Sequence, residues 1–155
     1  KQSSADRFVV SYSKNLDVAA PAVYAVNPAV ERWGSGAHSY SGDAANFSMK
    51  AEAGACFCER WKGNSVQHGT VLMAIRDQVL RIAGAFGPLQ GMAVNAVWSI
   101  GTRAEGNGTA LTMVYRVNGT SANALDKLAP GVDQVLNEQF NRLVSVATTG
   151  KAVTP

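Results

Sequence analysis

The stretch PGVDQVLNEQFNRLVSVA, residues 130–147, decides the fold class because its apolar residues recur with the period of an α-helix. Pro130 suits the first turn of a helix and Gly150 suits the residue after its end, so the sequence predicts a helix of about five turns between them. Ser121 is predicted to cap a short turn of helix before it. The stripe on one face, which only Gln139 interrupts, consists of Val132, Val135, Leu136, Gln139, Phe140, Leu143 and Val144.

The residues before this helix alternate in the manner of β-strands. Short segments rich in Gly, Asn, Asp and Pro separate the candidate strands and are typical of tight turns. Because short connections join antiparallel neighbours, we predict an antiparallel meander of six strands, to which a first strand at residues 8–18 adds an edge. The six strands are predicted at residues 47–52, 55–61, 66–75, 79–86, 93–102 and 109–117.

Short helices are predicted after the first strand. Pro21 suits the first position of a helix, and Pro28 ends it. Residues 31–43 follow as a Gly- and Ser-rich loop or broken helix that holds Trp33 and His38, and His38 is expected to be solvated. A one-sided helix after a curved sheet buries its stripe across the hollow of the sheet, which leaves room underneath. The sequence therefore predicts an α+β protein with a seven-stranded antiparallel sheet wrapped around a long C-terminal helix.

Length and composition limit the classes of protein to which the chain can belong. A chain of 155 residues matches one domain, with a core predicted at about residues 8–148. The net charge is +3, but the 14 Lys and Arg residues are scattered singly, so nucleic acid is not a predicted partner. No stretch approaches the roughly 18 unbroken apolar residues of a membrane helix, so no membrane span is predicted. The chain starts at Lys1, which leaves a cytoplasmic location and export after removal of a signal peptide both open.

Both cysteines, Cys56 and Cys58, lie in the stretch GACFCERWKGNSVQH, residues 54–68. Two cysteines are too few for a disulfide scaffold. Neighbours two apart on a strand are also not expected to meet the geometry of a disulfide bond. The sequence therefore predicts two free thiols.

The same stretch is predicted to form a β-hairpin with a four-residue loop at residues 62–65. That register opposes Glu59 with His68 and places both on the face that carries Phe57 and Trp61, which we interpret as the concave face. The cysteines then point to the other face. Because zinc needs three or four convergent ligands, no metal site is predicted here, and no cofactor is predicted for the chain.

Six segments of the chain, taken in order, carry a resemblance to a known superfamily: DVAAPAVYAVNP with Trp33 beyond it, GACFCERW, VQHGTVLMAI, VLRIAGAFGPLQGMAV, GTALTMVYRVNG and PGVDQVLNEQFNRLVSVA. Their arrangement resembles that of the START-like or SRPBCC superfamily, most closely its polyketide cyclase/dehydratase-like branch. The likeness covers about residues 8–148 and is one of layout, without a catalytic signature. It implies the helix-grip fold, with a cavity between sheet and helix that accepts an apolar or amphipathic small molecule, and it does not name that molecule.

The first functional hypothesis is therefore a protein that binds such a small molecule in its cavity. Tyr115 shares a strand face with Leu111 and Met113, so its hydroxyl can project into the hollow and help to orient the ligand. The residues predicted to bind the ligand are Phe57, Glu59, Trp61, His68, Trp98, Tyr115 and Phe140.

Two alternatives stay open. Glu59 and His68 could act as a proton relay in a cyclase-like, dehydratase-like or hydrolase-like enzyme, or they could form a structural ion pair across two strands. The chain could also be a protein-interaction module, whose mark would be an apolar patch on the outer face around Val71, Met73 and Ile75. A homodimer would cover the same patch, so monomer and homodimer are both open.

Overall fold

The computed structural model describes residues 2–153 and shows an antiparallel sheet with a long C-terminal helix, α3 (Leu125–Thr149). Two short helices, α1 (Ala20–Val26) and α2 (Val30–Trp33), follow the second strand. In the described residues the sheet has eight strands in the spatial order β1-β2-β8-β7-β6-β5-β4-β3. They are β1 (Gln2–Ser4), β2 (Arg7–Leu16), β3 (Phe47–Ser48), β4 (Cys56–Trp61), β5 (Asn64–Ile75), β6 (Val79–Ala83), β7 (Asn95–Glu105) and β8 (Gly108–Asn118). Short 3-10 helices lie at Gly36–His38, Ala44–Asn46, Gly87–Met92 and Ser121–Asn123.

The predicted fold class is confirmed, but the strand count of seven is wrong by one. The additional strand, β1, is only three residues long and pairs with β2 across a tight turn at residues 5–6. Its sequence, QSS, has neither β-branched nor aromatic residues, so no pattern in the sequence marks it as a strand.

The concave face of the sheet is built by strict alternation along β7 and β8. Every second residue from Ala96 to Thr102 of β7 and from Thr109 to Val117 of β8 is buried, and the residues between them are more exposed. Tyr115 shares this face with Leu111 and Met113, as predicted. Full burial of a Val, Leu, Ile or Met side chain contributes about 1.5–3 kcal/mol, so this face is a main source of the stability of the fold. The buried positions are Ala96, Trp98, Ile100, Thr102, Thr109, Leu111, Met113, Tyr115 and Val117.

Helix α3 lies against this sheet and begins five residues before the predicted start at Pro130. Leu125 and Ala129 are fully buried in the added first turn, and the Leu125 N–H donates to the Ala5 carbonyl at 2.8 Å. Pro130 lies in the second turn, where it removes a single backbone hydrogen bond. The burial of Leu125 and Ala129 outweighs this loss. Gly150 ends the helix with φ 78°, as predicted.

The β4–β5 hairpin differs from the predicted register by two residues. Its turn is Lys62–Gly63, with φ of 45° and 80°, which is the two-residue turn that matches the twist of a hairpin. Glu59 therefore opposes Val66, and a bulge opposite the step from Phe57 to Cys58 leaves His68 without a direct partner on β4. The predicted four-residue loop is wrong, but a shift of two residues leaves each side chain on its predicted face up to the bulge.

The prediction that Cys56 and Cys58 are free thiols is also wrong, because the structure joins them in a disulfide bond. Two residues that are two apart on one strand point to the same face. Their Cα atoms lie 5.4 Å apart, which is within the range that a disulfide bond spans.

The second half of β5 carries an exposed apolar patch, although its composition differs from the predicted one. A second irregularity between Val71 and Met73 turns Val71 into the core, where its exposed fraction is 1%. Leu72 takes its place on the outer face beside Met73 and Ile75, and these three side chains are 38–50% exposed.

Candidate functional site

A cavity of about 390 Å³ lies between the first half of α3 and the segment 86–89, which connects β6 to β7. Its wall is largely apolar, and Tyr115 of β8 reaches it from the sheet. Lys127, Gly131 and Pro88 belong to the wall and are exposed, so the cavity opens to solvent beside them. The lining residues are His38, Phe86, Gly87, Pro88, Leu89, Tyr115, Lys127, Leu128, Gly131, Val132, Val135 and Leu136.

A smaller cavity of about 110 Å³ adjoins the first one. Phe86, Val135 and Leu136 belong to both walls, so the two spaces are neighbours along α3. The smaller cavity has more hydrogen-bonding side chains in its wall. Its lining residues are Val30, Trp33, Gly34, His38, Tyr40, Phe47, Phe57, His68, Phe86, Gly87, Trp98, Val135, Leu136 and Gln139.

Glu59 holds the loop that borders the smaller cavity, residues 35–43, which we call the cover loop. The Glu59 side chain is fully buried. Its carboxylate accepts hydrogen bonds from the backbone N–H of Ser41 at 2.6 Å and of Tyr40 at 3.3 Å, and from His68 Nε2 at 2.9 Å. Burial raises the pKa of Glu59, but the hydrogen bonds from Ser41, His68 and Tyr40 outweigh burial and hold the pKa below its ordinary value of 4.5. Glu59 is therefore an ionised anchor for this loop.

Four further contacts tie the cover loop to the elements around the cavities. The Ser35 N–H donates to Gln139 Oε1 at 3.0 Å, and His38 Nε2 lies 2.9 Å from Glu138 Oε2, so α3 holds the loop at two points. The Tyr40 hydroxyl donates to the Gly87 carbonyl at 3.3 Å, and the Tyr40 ring stacks on His68 at 5.9 Å. His38 was expected to be solvated, and the structure leaves it exposed, with its ring in contact with Glu138.

Tyr115 holds the opposite wall, the segment 86–89. Its hydroxyl accepts a hydrogen bond from the Phe86 N–H at 3.0 Å and donates to the Gly84 carbonyl at 2.9 Å. Its ring stacks in parallel on Phe86 with 4.9 Å between centroids. Burial raises the pKa of Tyr115, so the hydroxyl stays protonated at neutral pH. Both hydrogen-bonding functions of the hydroxyl are thus used by the backbone.

The structure brings four of the seven predicted ligand residues to the two cavities. Phe57, His68 and Trp98 line the smaller cavity, and Tyr115 lines the larger one. Glu59 lies behind His68 and lines neither of the two.

Trp61 and Phe140 also line neither cavity. Trp61 is half-buried at the end of the β4–β5 hairpin, and Phe140 is buried against the ring of Tyr12 at 5.7 Å. The Tyr12 hydroxyl donates to the Asp133 carboxylate at 2.5 Å, so this pair of rings fixes α3 on β2. A ligand role for these seven residues stays a prediction.

Sequence reasoning named no residue of the α3 wall and none of segment 86–89 as site residues. Val132, Val135 and Leu136 were visible as part of the helical stripe, because an unfilled space under the helix must be lined by that stripe. Phe86 had no comparable signal, because it was placed at the end of a predicted strand that in fact stops at Ala83.

Residues 2–153 contain no group of three or more His, Cys, Asp or Glu side chains placed to hold a metal ion. No helix in this part of the chain is both long enough and apolar enough to cross a membrane.

No family profile and no curated protein sequence matches the chain. Solved structures do resemble it. Protein MLL2253 from Mesorhizobium loti is 14% identical with a TM-score of 0.63, and the match covers 90% of this chain and 96% of that one. Ara h 8.0201 is 8% identical with a TM-score of 0.59, covering 91% and 97% of the two chains. The di-domain ARO/CYC StfQ from the steffimycin biosynthetic pathway is 9% identical with a TM-score of 0.63, covering 94% of this chain and 52% of that one.

At these identities the similarity shows the fold. The chain has the predicted helix-grip fold, in which an antiparallel sheet curves around a C-terminal helix. In this chain the space between sheet and helix contains the two adjoining cavities.

Proposed function

We propose that the protein binds an apolar or amphipathic small molecule in the larger cavity, with one end reaching the smaller one. The observation that carries the proposal is the space of about 390 Å³ between α3 and segment 86–89, walled mainly by apolar side chains. Cavities of about 300–1,000 Å³ with such walls and a few polar groups are typical of sites for small molecules. Both StfQ and Ara h 8.0201 share the fold, which supports the proposal without naming a ligand.

The walls of the cavity are held in place before any ligand binds. Tyr115 fixes segment 86–89 through two backbone hydrogen bonds, and Glu59 fixes the cover loop through two more. A site that is already ordered loses little conformational entropy on binding, so most of the free energy of burying apolar ligand surface is available for affinity.

A test can use N-phenyl-1-naphthylamine, a neutral fluorescent probe whose emission rises in apolar surroundings. Val135→Trp places a larger side chain where both cavities meet and is expected to weaken probe binding at least about tenfold. Gln134→Trp adds the same side chain at the exposed neighbouring position on α3 and is expected to leave the affinity unchanged. Equal affinity in both variants and the wild type, or no binding by the wild type, would contradict the proposal.

A second candidate function is proton transfer to and from a bound carbonyl compound. It is favoured by one observation: His68 lines the smaller cavity while its Nε2 is hydrogen-bonded to Glu59 at 2.9 Å, the arrangement of a base held by a carboxylate. Glu59 itself acts as a positioning residue here, because it lines neither cavity.

The assay for this second candidate is exchange of the acetyl methyl protons of 2-acetylnaphthalene for deuterons in D₂O, followed by NMR. His68 would remove a methyl proton to give the enolate and a deuteron from solvent would replace it, so the ketone is regenerated with no net loss of atoms. The exchange rates of the wild type and of His68→Gln are compared at equal probe occupancy. If the wild type exchanges the protons no faster than the variant, this candidate is ruled out.

A further inference from the structure

We propose that the smaller cavity binds a neutral carbonyl-type oxygen atom of the ligand, while the apolar body of the ligand fills the larger cavity. This inference rests on the proposed binding function and adds the chemical class and the orientation of the ligand. It starts from three ring or amide nitrogens around the smaller cavity that have no hydrogen-bond partner among the described residues.

Gln139 supplies the first of these nitrogens. Its Oε1 accepts the Ser35 N–H at 3.0 Å, and since only the oxygen of an amide can accept, the NH₂ group must be the other branch. That NH₂ group has no partner in residues 2–153, and Gln139 belongs to the wall of the smaller cavity. This NH₂ group is therefore free to donate to an oxygen atom of a ligand.

Trp98 supplies the second nitrogen. Its side chain lines the same cavity and is 3% exposed, yet its indole Nε1 has no partner in the part of the chain that the structure describes. Trp33, in the same wall, shows the ordinary arrangement, because its Nε1 donates to the Val26 carbonyl at 3.1 Å. Buried donors without an acceptor are rare in proteins and raise the free energy of the folded state. An oxygen atom of a ligand that came within hydrogen-bond distance of this nitrogen would relieve the cost at Trp98.

His68 supplies the third nitrogen. Its Nε2 is committed to Glu59, and no described residue bonds its Nδ1. A neutral imidazole with its proton on Nε2 offers Nδ1 as an acceptor, and an imidazolium offers it as a donor. The site therefore combines two fixed donors with one nitrogen that can serve either a carbonyl or a hydroxyl group.

The size and charge of the smaller cavity select a neutral oxygen. A space of about 110 Å³ has room for an acetyl-sized group but not for the body of a larger ligand. A carbonyl oxygen has two lone pairs and can satisfy both fixed donors. The Glu59–His68 pair carries a net charge of −1 or zero, depending on the histidine, so it does not attract an anionic oxygen such as a carboxylate.

The test compares two probes of nearly equal size, 2-acetylnaphthalene and 2-ethylnaphthalene, by isothermal titration calorimetry. The quantity of interest is the preference ratio, defined as the Kd of 2-ethylnaphthalene divided by that of 2-acetylnaphthalene. Gln139→Glu keeps the acceptor for Ser35 and removes the donor, and Trp98→Phe keeps an aromatic ring and removes the N–H. Each variant is expected to lower the preference ratio about three- to tenfold, which is the effect of losing one hydrogen bond on the affinity.

Gln134→Glu is the matched control, since it makes the same chemical change on the exposed face of α3 and is expected to leave the ratio unchanged. A ratio that stays constant in both Gln139→Glu and Trp98→Phe contradicts the inference and leaves the binding function intact. Tighter binding of 2-naphthoate than of the ketone would also overturn it. Absence of binding by either probe to the wild type contradicts the binding function as well. If Trp98→Phe does not fold, Gln139→Glu decides the question alone.

Discussion

Replacing Glu59 by Gln should destabilise the protein by about 2 kcal/mol. The carboxylate accepts hydrogen bonds from Ser41, Tyr40 and His68 in a fully buried position. A glutamine can keep an acceptor for Ser41 and turn its NH₂ toward His68, but these bonds are then neutral, and charge-assisted hydrogen bonds are about twice as strong as neutral ones. The long bond to Tyr40 is lost, so a net cost of about 2 kcal/mol follows.

The pH dependence gives this prediction a second readout. The folded-state pKa of Glu59 is lower than its ordinary value of 4.5, so ionisation of this group stabilises the folded state above that pH. The stabilisation is lost as the pH falls through the folded-state pKa. The difference in free energy of unfolding between wild type and Glu59→Gln is therefore expected to be constant from pH 7 to pH 5 and to shrink below about pH 4.5.

Urea unfolding followed by tryptophan fluorescence measures these differences. Glu138→Gln is a matched control, because it also removes the carboxylate partner of a cover-loop contact, that of His38, but at a position where both side chains are about one-third exposed. Exposed pairs contribute at most about 1 kcal/mol. The reasoning is refuted if Glu59→Gln costs no more than Glu138→Gln, or if the difference from wild type does not change with pH down to pH 3.

Other consequences of the structure can be measured in the same way. Tyr115→Phe leaves the Phe86 N–H and the Gly84 carbonyl without their partner and is expected to cost about 2 kcal/mol in urea unfolding, whereas a change below about 0.5 kcal/mol would show that water replaces the hydroxyl. Protein purified without reductant is expected to show no reactive thiol when unfolded and two after reduction; two thiols before reduction would contradict the bond between Cys56 and Cys58.

The larger elements were predictable because their signals repeat over many residues. The stripe of α3 and the alternation of β7 and β8 each involve several apolar side chains in one period, so single errors do not change the result. The contact between Glu59 and His68 was predicted even though the register was wrong. A shift of two residues conserves the face of each strand, and the bulge then brings His68 within reach.

The cover loop and its anchor were not predictable in the same way. Glu59 binds the loop through the backbone N–H groups of Tyr40 and Ser41, and backbone groups leave no mark in a sequence. The hairpin turn was missed because Lys62 adopts φ 45°, a conformation that a lysine seldom takes and a sequence pattern does not suggest. Short-range irregularities of this kind decide which side chains meet, although they do not change the fold.

The most direct test of a ligand site between sheet and helix is a two-dimensional ¹⁵N–¹H NMR titration of the labelled protein with 2-acetylnaphthalene. The chain has three tryptophans, so three indole signals report on three places in the fold. The Trp98 indole signal and the backbone amides of Val132 and Val135 are expected to shift, while the Trp61 indole signal is not. Shifts confined to the exposed residues Leu72, Met73 and Ile75, or no shifts at all, would contradict this expectation.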